Sequence, residues 1–199
     1  MLVDAIEYLR QGGWIMIPLG VCSLVMWMLI TERIWAYRRL TGGDLDLQDA
    51  VRLLEEAGPA PGNPGLCARL LLAFKSERTG DAHLDRQILR ACVRRLAPGL
   101  QRYLAVIGVL AAVAPLLGLL GTVIGMVQTF QVIAIFGTGN AQALAGGVSV
   151  ALVTTQSGLL VAIPGLFMSG ALERRAAKLR MRLDETATVL ERHLPREAP

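Results

Sequence analysis

The chain has 199 residues, 53% hydrophobic and only 5% aromatic, with a net charge of +4 and a mean hydropathy of +0.48. That is too apolar for an ordinary soluble domain and suits a small membrane protein with a modest aqueous part. The charge sits beside the apolar runs rather than evenly along the chain, which speaks for membrane topology and against nucleic-acid binding.

Residues 1–13 hold Asp4, Glu7 and Arg10 and end in Gly12-Gly13. The next run, 14–35, is nearly all apolar as far as Ile30, and about 20 residues suffice to cross a bilayer core. The acidic start, and Thr31-Glu32-Arg33 in place of a small-residue cleavage site, argue against a cleaved signal peptide. Trp14, Trp27, Trp35 and Tyr37 supply candidate anchors at the two interfaces. Residues 36–103 are mostly polar. Gly42-Gly43 and the Gly/Pro-rich stretch 58–65 break them up. Asp46–Ala57, Leu66–Arg78 and Asp81–Leu96 read as three short amphipathic helices, with Pro98-Gly99 interrupting or kinking the last. Residues 104–136 form a second apolar run, about 50 Å long as a helix. A turn at 137–143 follows, then a third run at 144–172. Residues 173–199 begin at Glu173-Arg174-Arg175 and place Leu172, Ala176, Leu179, Leu183 and Leu190 on one stripe, the mark of a helix continuing into water.

The expected fold is therefore all-α and polytopic, with three transmembrane helices, the second and third long enough to extend into a cytosolic helical bundle. Basic residues follow the first run (Arg33, Arg38, Arg39), precede the second (Arg94, Arg95, Arg102) and follow the third (Arg174, Arg175, Lys178, Arg180, Arg182). All three clusters fall on one side of a membrane only with the N-terminus outside and the C-terminus cytosolic.

Both later runs carry a stripe of small residues at spacings of three and four. The first is Gly108, Ala111, Pro115, Gly118, Thr122, Gly125, Thr129; the second is Ala151, Thr155, Gly158, Ala162, Gly165, Ser169. Such faces let helices approach closely in lipid, where apolar burial gives little drive to associate. Gly118, Gly125, Ala151, Gly158 and Ala162 are the candidate packing positions. Pro115 and Pro164 interrupt the helical bond ladder, as static kinks or as hinges.

No Asp, Glu, Lys, Arg or His occurs anywhere in 103–172. An acid inside a membrane can take and release protons and usually marks an ion path. A proton-moving role would thus need the acid from a partner, or a rare use of Glu32. The polar groups left are Thr122, Gln128, Thr129 and Gln131, then Ser149, Thr154, Thr155, Gln156 and Ser157. Their hydroxyls either bond back to carbonyls of their own helix or line a narrow wet passage. Gln156 lies off the small face and reads as an inter-subunit hydrogen bond. The segment Gly118–Gly125 looks like a phosphate loop only superficially, since it lacks the Lys-Ser/Thr ending and a preceding strand. Cys22, Cys67 and Cys92 form no CxxC pair and read as reduced, with no metal site. His83 and His193 read as solvated surface. With no nucleophile–base pair and no carboxylate pair, neither an enzyme nor a cofactor is expected.

The segment Ala114–Met126 (APLLGLLGTVIGM), the segment Gly146–Pro164 (GGVSVALVTTQSGLLVAIP), Pro18-Leu19 followed by Glu32-Arg33, and Phe136-Gly-Thr-Gly139 together resemble the MotA/TolQ/ExbB proton-channel family. The detail is most similar to its ExbB branch, of the type-two kind in some TonB systems. The resemblance implies a homopentamer in the bacterial inner membrane around a central pore. That pore would hold an ExbD-like single-span subunit whose membrane aspartate carries the proton, and a TonB-like protein would pass the work to the outer membrane. It places the two pore threonines at Thr122 and Thr155, and leaves Glu32 and Arg33 at an interface or helix end. Val150 stands where many relatives carry a glutamate, and valine cannot titrate. The rival expectations are a TolQ-like or MotA-like motor for another cargo, the short middle region arguing against the latter, and a non-conducting membrane scaffold.

Overall fold

A computed structural model describes residues 12–42, 65–137, 139 and 141–193. The expected helix at Asp46–Ala57 lies outside them, as do residues 1–11 and 194–199. The described chain forms α1 (Met16–Thr41), α2 (Leu66–Glu77), α3 (Ala82–Gln101), α4 (Leu104–Phe136) and α5 (Ala141–His193), with no strand among the described residues. Three helical stretches, Met16–Thr41, Ala82–Phe136 and Leu144–His193, are long and apolar enough to cross a membrane. The fold is all-α and multi-pass.

Pro18 sits in the first turn of α1, where its missing N–H would have had no helical partner. α4 coincides with the charge-free run 104–136 and continues through Pro115. α5 is a single helix of 53 residues, continuous through Pro164 and across the expected boundary at 172/173. Of the two expectations for Pro98-Gly99, an interruption or a kink, the interruption does not occur, and α3 continues past the expected end at Leu96 to Gln101. The break comes at Arg102-Tyr103, where Tyr103 takes φ 64°, a left-handed conformation that stops a helix.

The contacts divide the chain into two units, residues 1–31 with 105–170, and 32–104 with 171–199. In the first, Met16 and Leu19 of α1 pack with Ala114 of α4 and Ala162 of α5. In the second, α2 buries Leu66, Leu70, Leu71 and Phe74, and α3 buries Leu89, Cys92, Ala97 and Leu100. The α5 stripe Leu172, Ala176, Leu179, Leu183 and Leu190 is buried as its spacing requires. All three cysteines are buried, and among the described residues none forms a disulfide. Asp81 caps α3 by accepting from the His83 amide at 2.8 Å.

Candidate functional site

In the first unit the two small-residue stripes face each other, and the partners are backbone. A methyl group added to Gly158 would lie 2.8 Å from the Ala114 carbonyl oxygen and 3.1 Å from the Gly118 Cα. One added to Gly118 would lie 3.0 Å from the Thr154 carbonyl oxygen, and one on Gly125 2.5 Å from the Gly147 oxygen and 2.8 Å from the Ala151 nitrogen. Gly108 faces Ser169, and Gly165 faces Ala111 and the Met26 thioether. Residue numbers fall along α5 as they rise along α4, the register of an antiparallel pair. Gly118, Gly125, Ala151 and Gly158 are therefore brought together, and Ala162 joins Ala114 in the apolar cluster beside them.

Sequence reasoning missed two members of this contact. A side chain on Gly121 would overlap Thr154, and one on Gly147 would overlap the Thr129 hydroxyl. The signal was available: Gly121 is three residues from Gly118 and four from Gly125, and Gly147 is four before Ala151, steps that share a helical face.

The hydroxyls bond to main-chain carbonyls. Thr122 donates to Leu119 at 2.7 Å, Thr129 to Gly125 at 3.0 Å, and Ser157 to Val153 at 2.7 Å. Thr154, fully buried, donates to Val150 at 2.8 Å. Thr155 donates to Ala151 at 3.1 Å and has a second acceptor across the helix pair, the Gly118 carbonyl at 3.5 Å. Thr122 and Thr155 are both half-buried, whereas Gln128, Gln131 and Gln156 are exposed. Thr155 thus sits at the Gly118–Gly158 contact, with its hydroxyl divided between two helices.

In the second unit Glu32 and Arg33 form a different kind of site. Arg33 is buried and grips the half-exposed Glu32 carboxylate through two nitrogens, at 2.6 and 2.7 Å. Its third nitrogen donates to the Gly99 carbonyl at 3.1 Å. One turn on, the buried Tyr37 hydroxyl donates to the Leu100 carbonyl at 2.6 Å. Gly99 and Leu100 lie in the last turn of α3, where carbonyls lack helical partners and a cation is favoured. Arg33 and Tyr37 of α1 therefore cap α3, and Tyr37 is no exposed interface anchor. The guanidiniums of Arg33 and Arg102 flank the Tyr103 ring, at 5.4 and 4.7 Å from its centre.

A second buried charge, Asp85, ties the 78–80 bend to α3. It accepts from the Thr79 amide at 2.8 Å, the Thr79 hydroxyl at 3.1 Å and the Arg78 guanidinium at 3.2 Å. Burial pushes its carboxyl up, but these donors together outweigh burial and hold it below the ordinary aspartate value. Among the described residues no group of three acidic, histidine or cysteine side chains could hold a metal ion.

Three helices apolar enough to cross a membrane and a backbone-tight helix pair with no titratable side chain across 104–172 mark a multi-pass membrane protein. The comparisons give the family. The model of the MotA/TolQ/ExbB proton channel family matches residues 65–185. The chain is 31% identical over 201 residues to biopolymer transport protein exbB1 of Vibrio cholerae, covering 92% of this chain and 86% of that one. It is 32% identical over 177 residues to putative biopolymer transport protein ExbB-like 3 of Synechocystis, covering 79% and 80%. It is 30% identical over 194 residues to biopolymer transport protein ExbB of Salmonella typhimurium, covering 87% and 77%. The chain belongs to the MotA/TolQ/ExbB proton channel family, a family of transport subunits rather than of enzymes.

Proposed function

We propose that this chain is the ExbB-like subunit of an inner-membrane motor that uses the proton motive force to energise TonB-dependent transport across the outer membrane. In this reading five copies surround a pore, with the N-terminus periplasmic and the C-terminus cytoplasmic. The first span is 14–35, the second 104–136 and the third 144–172. An ExbD-like single-span subunit stands in the pore and supplies a membrane aspartate, and a TonB-like protein carries the work onward. Thr122 and Thr155 face that aspartate and can donate to its charged form or accept from its neutral form.

The observation that carries the proposal is the absence of any titratable side chain from 104–172 in a chain of a proton-channel family. With Val150 inside the third run and Arg102 and Glu173 flanking the pair, the two runs can shape a proton path but cannot relay a proton through their own side chains. The relay must be borrowed.

The test is proton flux into liposomes, comparing the chain alone with the chain co-purified with its single-span partner. Flux only in the complex, abolished when the partner's membrane aspartate is replaced by asparagine, is the expected result. Equal flux from the chain alone would overturn the borrowed acid. No flux from an intact complex would favour a scaffold. Reporter fusions that place residues 45–95 outside the cell would overturn the topology.

A further inference from the structure

We infer that Ser169 holds a water molecule in the gap left by Gly108, and that this water is where the proton path meets the cytoplasmic side. The inference rests on the reading above, in which Thr122 and Thr155 face that path. Seven buried side chains among the described residues are polar or charged. Six of them, Arg33, Asp85, Thr129, Thr154, Ser157 and Thr186, are hydrogen-bonded. Ser169, 5% exposed, forms no hydrogen bond with any described residue. A serine inside a membrane helix ordinarily bonds back to a carbonyl one turn earlier, as Ser157 does, and a hydroxyl left unpaired among apolar groups is costly. Every fully enclosed side-chain oxygen among the described residues has a partner. The Ser169 oxygen must therefore open onto space in which a water molecule can touch it.

That space lies beside Gly108. A methyl group on Gly108 would stand 3.4 Å from the Ser169 oxygen and would meet nothing else within 4 Å outside its own helix. At Gly118, Gly125 and Gly158 the same methyl would press on backbone at 3.0, 2.5 and 2.8 Å. The helix pair is closed on main chain at those three positions and is looser at Gly108, where the hydroxyl stands instead of backbone.

The position of the gap along the two helices gives it a use. Gly108, Pro115 and Thr122 are seven apart on α4, and Thr155, Ala162 and Ser169 are seven apart on α5. Seven residues bring a helix back to within about 20° of the same face. Gly108 and Ser169 thus prolong the lines of the two threonines, by about 21 Å of helix in each case. Glu173 follows Ser169 by one turn, so Ser169 is the last polar group on its line before charged chain. No side chain on either line titrates, so the proton must travel on water. The hydroxyl accepts one hydrogen bond and donates another, and it neither gains nor loses a proton. Ser169 is a positioning residue. If it were only a small spacer, alanine would serve as well.

The test uses the full-length chain in complex with its single-span partner, in liposomes. Ser169→Cys and Phe167→Cys are compared for reaction with a charged methanethiosulfonate supplied on both sides of the membrane. The unsubstituted chain gives the background of its three buried cysteines. Phe167 lies two residues away and points outward, 72% exposed, so a thiol there stands in apolar surroundings. A thiol reacts as the thiolate, which forms where water reaches it, and the expected result is a reaction at least about tenfold faster for Ser169→Cys than for Phe167→Cys. Ser169→Ala should lower proton flux roughly fivefold, the kinetic equivalent of one neutral hydrogen bond, at an unchanged unfolding midpoint. Gly108→Ala fills the gap and should lower flux too; it takes over the flux measurement if Ser169→Ala does not assemble. Equally slow reaction of both cysteine variants overturns the water site. Fast reaction of Ser169→Cys with wild-type flux in both alanine variants overturns its place in the proton path. A wild-type complex without flux overturns the proposed function instead, and the labelling alone then upholds or overturns the water site.

Discussion

The Tyr37 hydroxyl donates to the Leu100 carbonyl across 63 residues of sequence, at 2.6 Å and out of contact with solvent. With Arg33 on Gly99, it closes the end of α3 from outside, a task a helix usually leaves to its own following residues. The chain after α3 is not free to do so, because Tyr103 turns sharply to begin α4.

Tyr37→Phe keeps the ring and removes only the donor, leaving a buried carbonyl without its partner. The expected cost is about 1–3 kcal/mol of stability, read as a lowered thermal or denaturant midpoint of the purified chain in detergent. Arg33→Lys keeps a cation but loses the fork, and should fall between wild type and Arg33→Met. An unchanged midpoint for Tyr37→Phe would remove the cap from the account.

Gly158→Ala and Gly125→Ala each press a methyl group against main-chain atoms, at 2.8 and 2.5 Å from the nearest oxygen. Backbone cannot rotate away as a side chain can, so each should destabilise by about 1–3 kcal/mol. Gly146→Ala meets nothing within 4 Å and should be neutral or stabilising by up to about 1 kcal/mol through helix propensity. Unfolding midpoints of the three variants decide the matter, and a Gly146→Ala as damaging as Gly158→Ala would count against the packing argument.

Thr155→Val preserves shape and deletes the hydroxyl shared between Ala151 and Gly118. Assembly should survive, since a methyl fills the same space. Proton flux of the complex with its single-span partner should fall about tenfold or more, the effect of losing one hydrogen bond to a charged group. Wild-type flux from a correctly assembled variant would take Thr155 out of the proton path.

Asp85 is held below its ordinary value in the folded chain. Its stabilising contribution is therefore complete above the unfolded value of about 3.9 and drains away as pH falls from there through the lower folded value. Asp85→Asn should destabilise the chain at neutral pH and flatten the loss of stability as pH falls below the ordinary aspartate value. Unfolding followed across that range by the helical circular dichroism signal checks both parts.

What was legible in the sequence is what local chemistry fixes. The bounds of α4 follow from an absence of charge that begins after Arg102, and the buried stripe of α5 from steps of three and four. The facing of Gly118 and Gly158 was half legible: composition marked both faces as made for close approach, but not that the partner of each is the other within one chain. The end of α3 was set too early, at Leu96, because Pro98 and Gly99 break helices on average. Here Pro98 forfeits one bond near a terminus, and Arg33 and Tyr37 satisfy the carbonyls beyond it. No local pattern announces a cap whose donors lie more than sixty residues away. Asp85 was passed over because a single acid in an amphipathic helix looks solvated, and only its donors reveal otherwise.

The backbone contact of α4 with α5 also sets the steps in which these helices can slide. Four residues of travel, about 6 Å along the axis, would bring Thr122 opposite Gly158, where Gly118 stands now, and would set Thr155 against Gly125. A β-branched side chain would then occupy a gap sized for hydrogen. A shift of one such step is therefore opposed by steric overlap at two points of the pair at once.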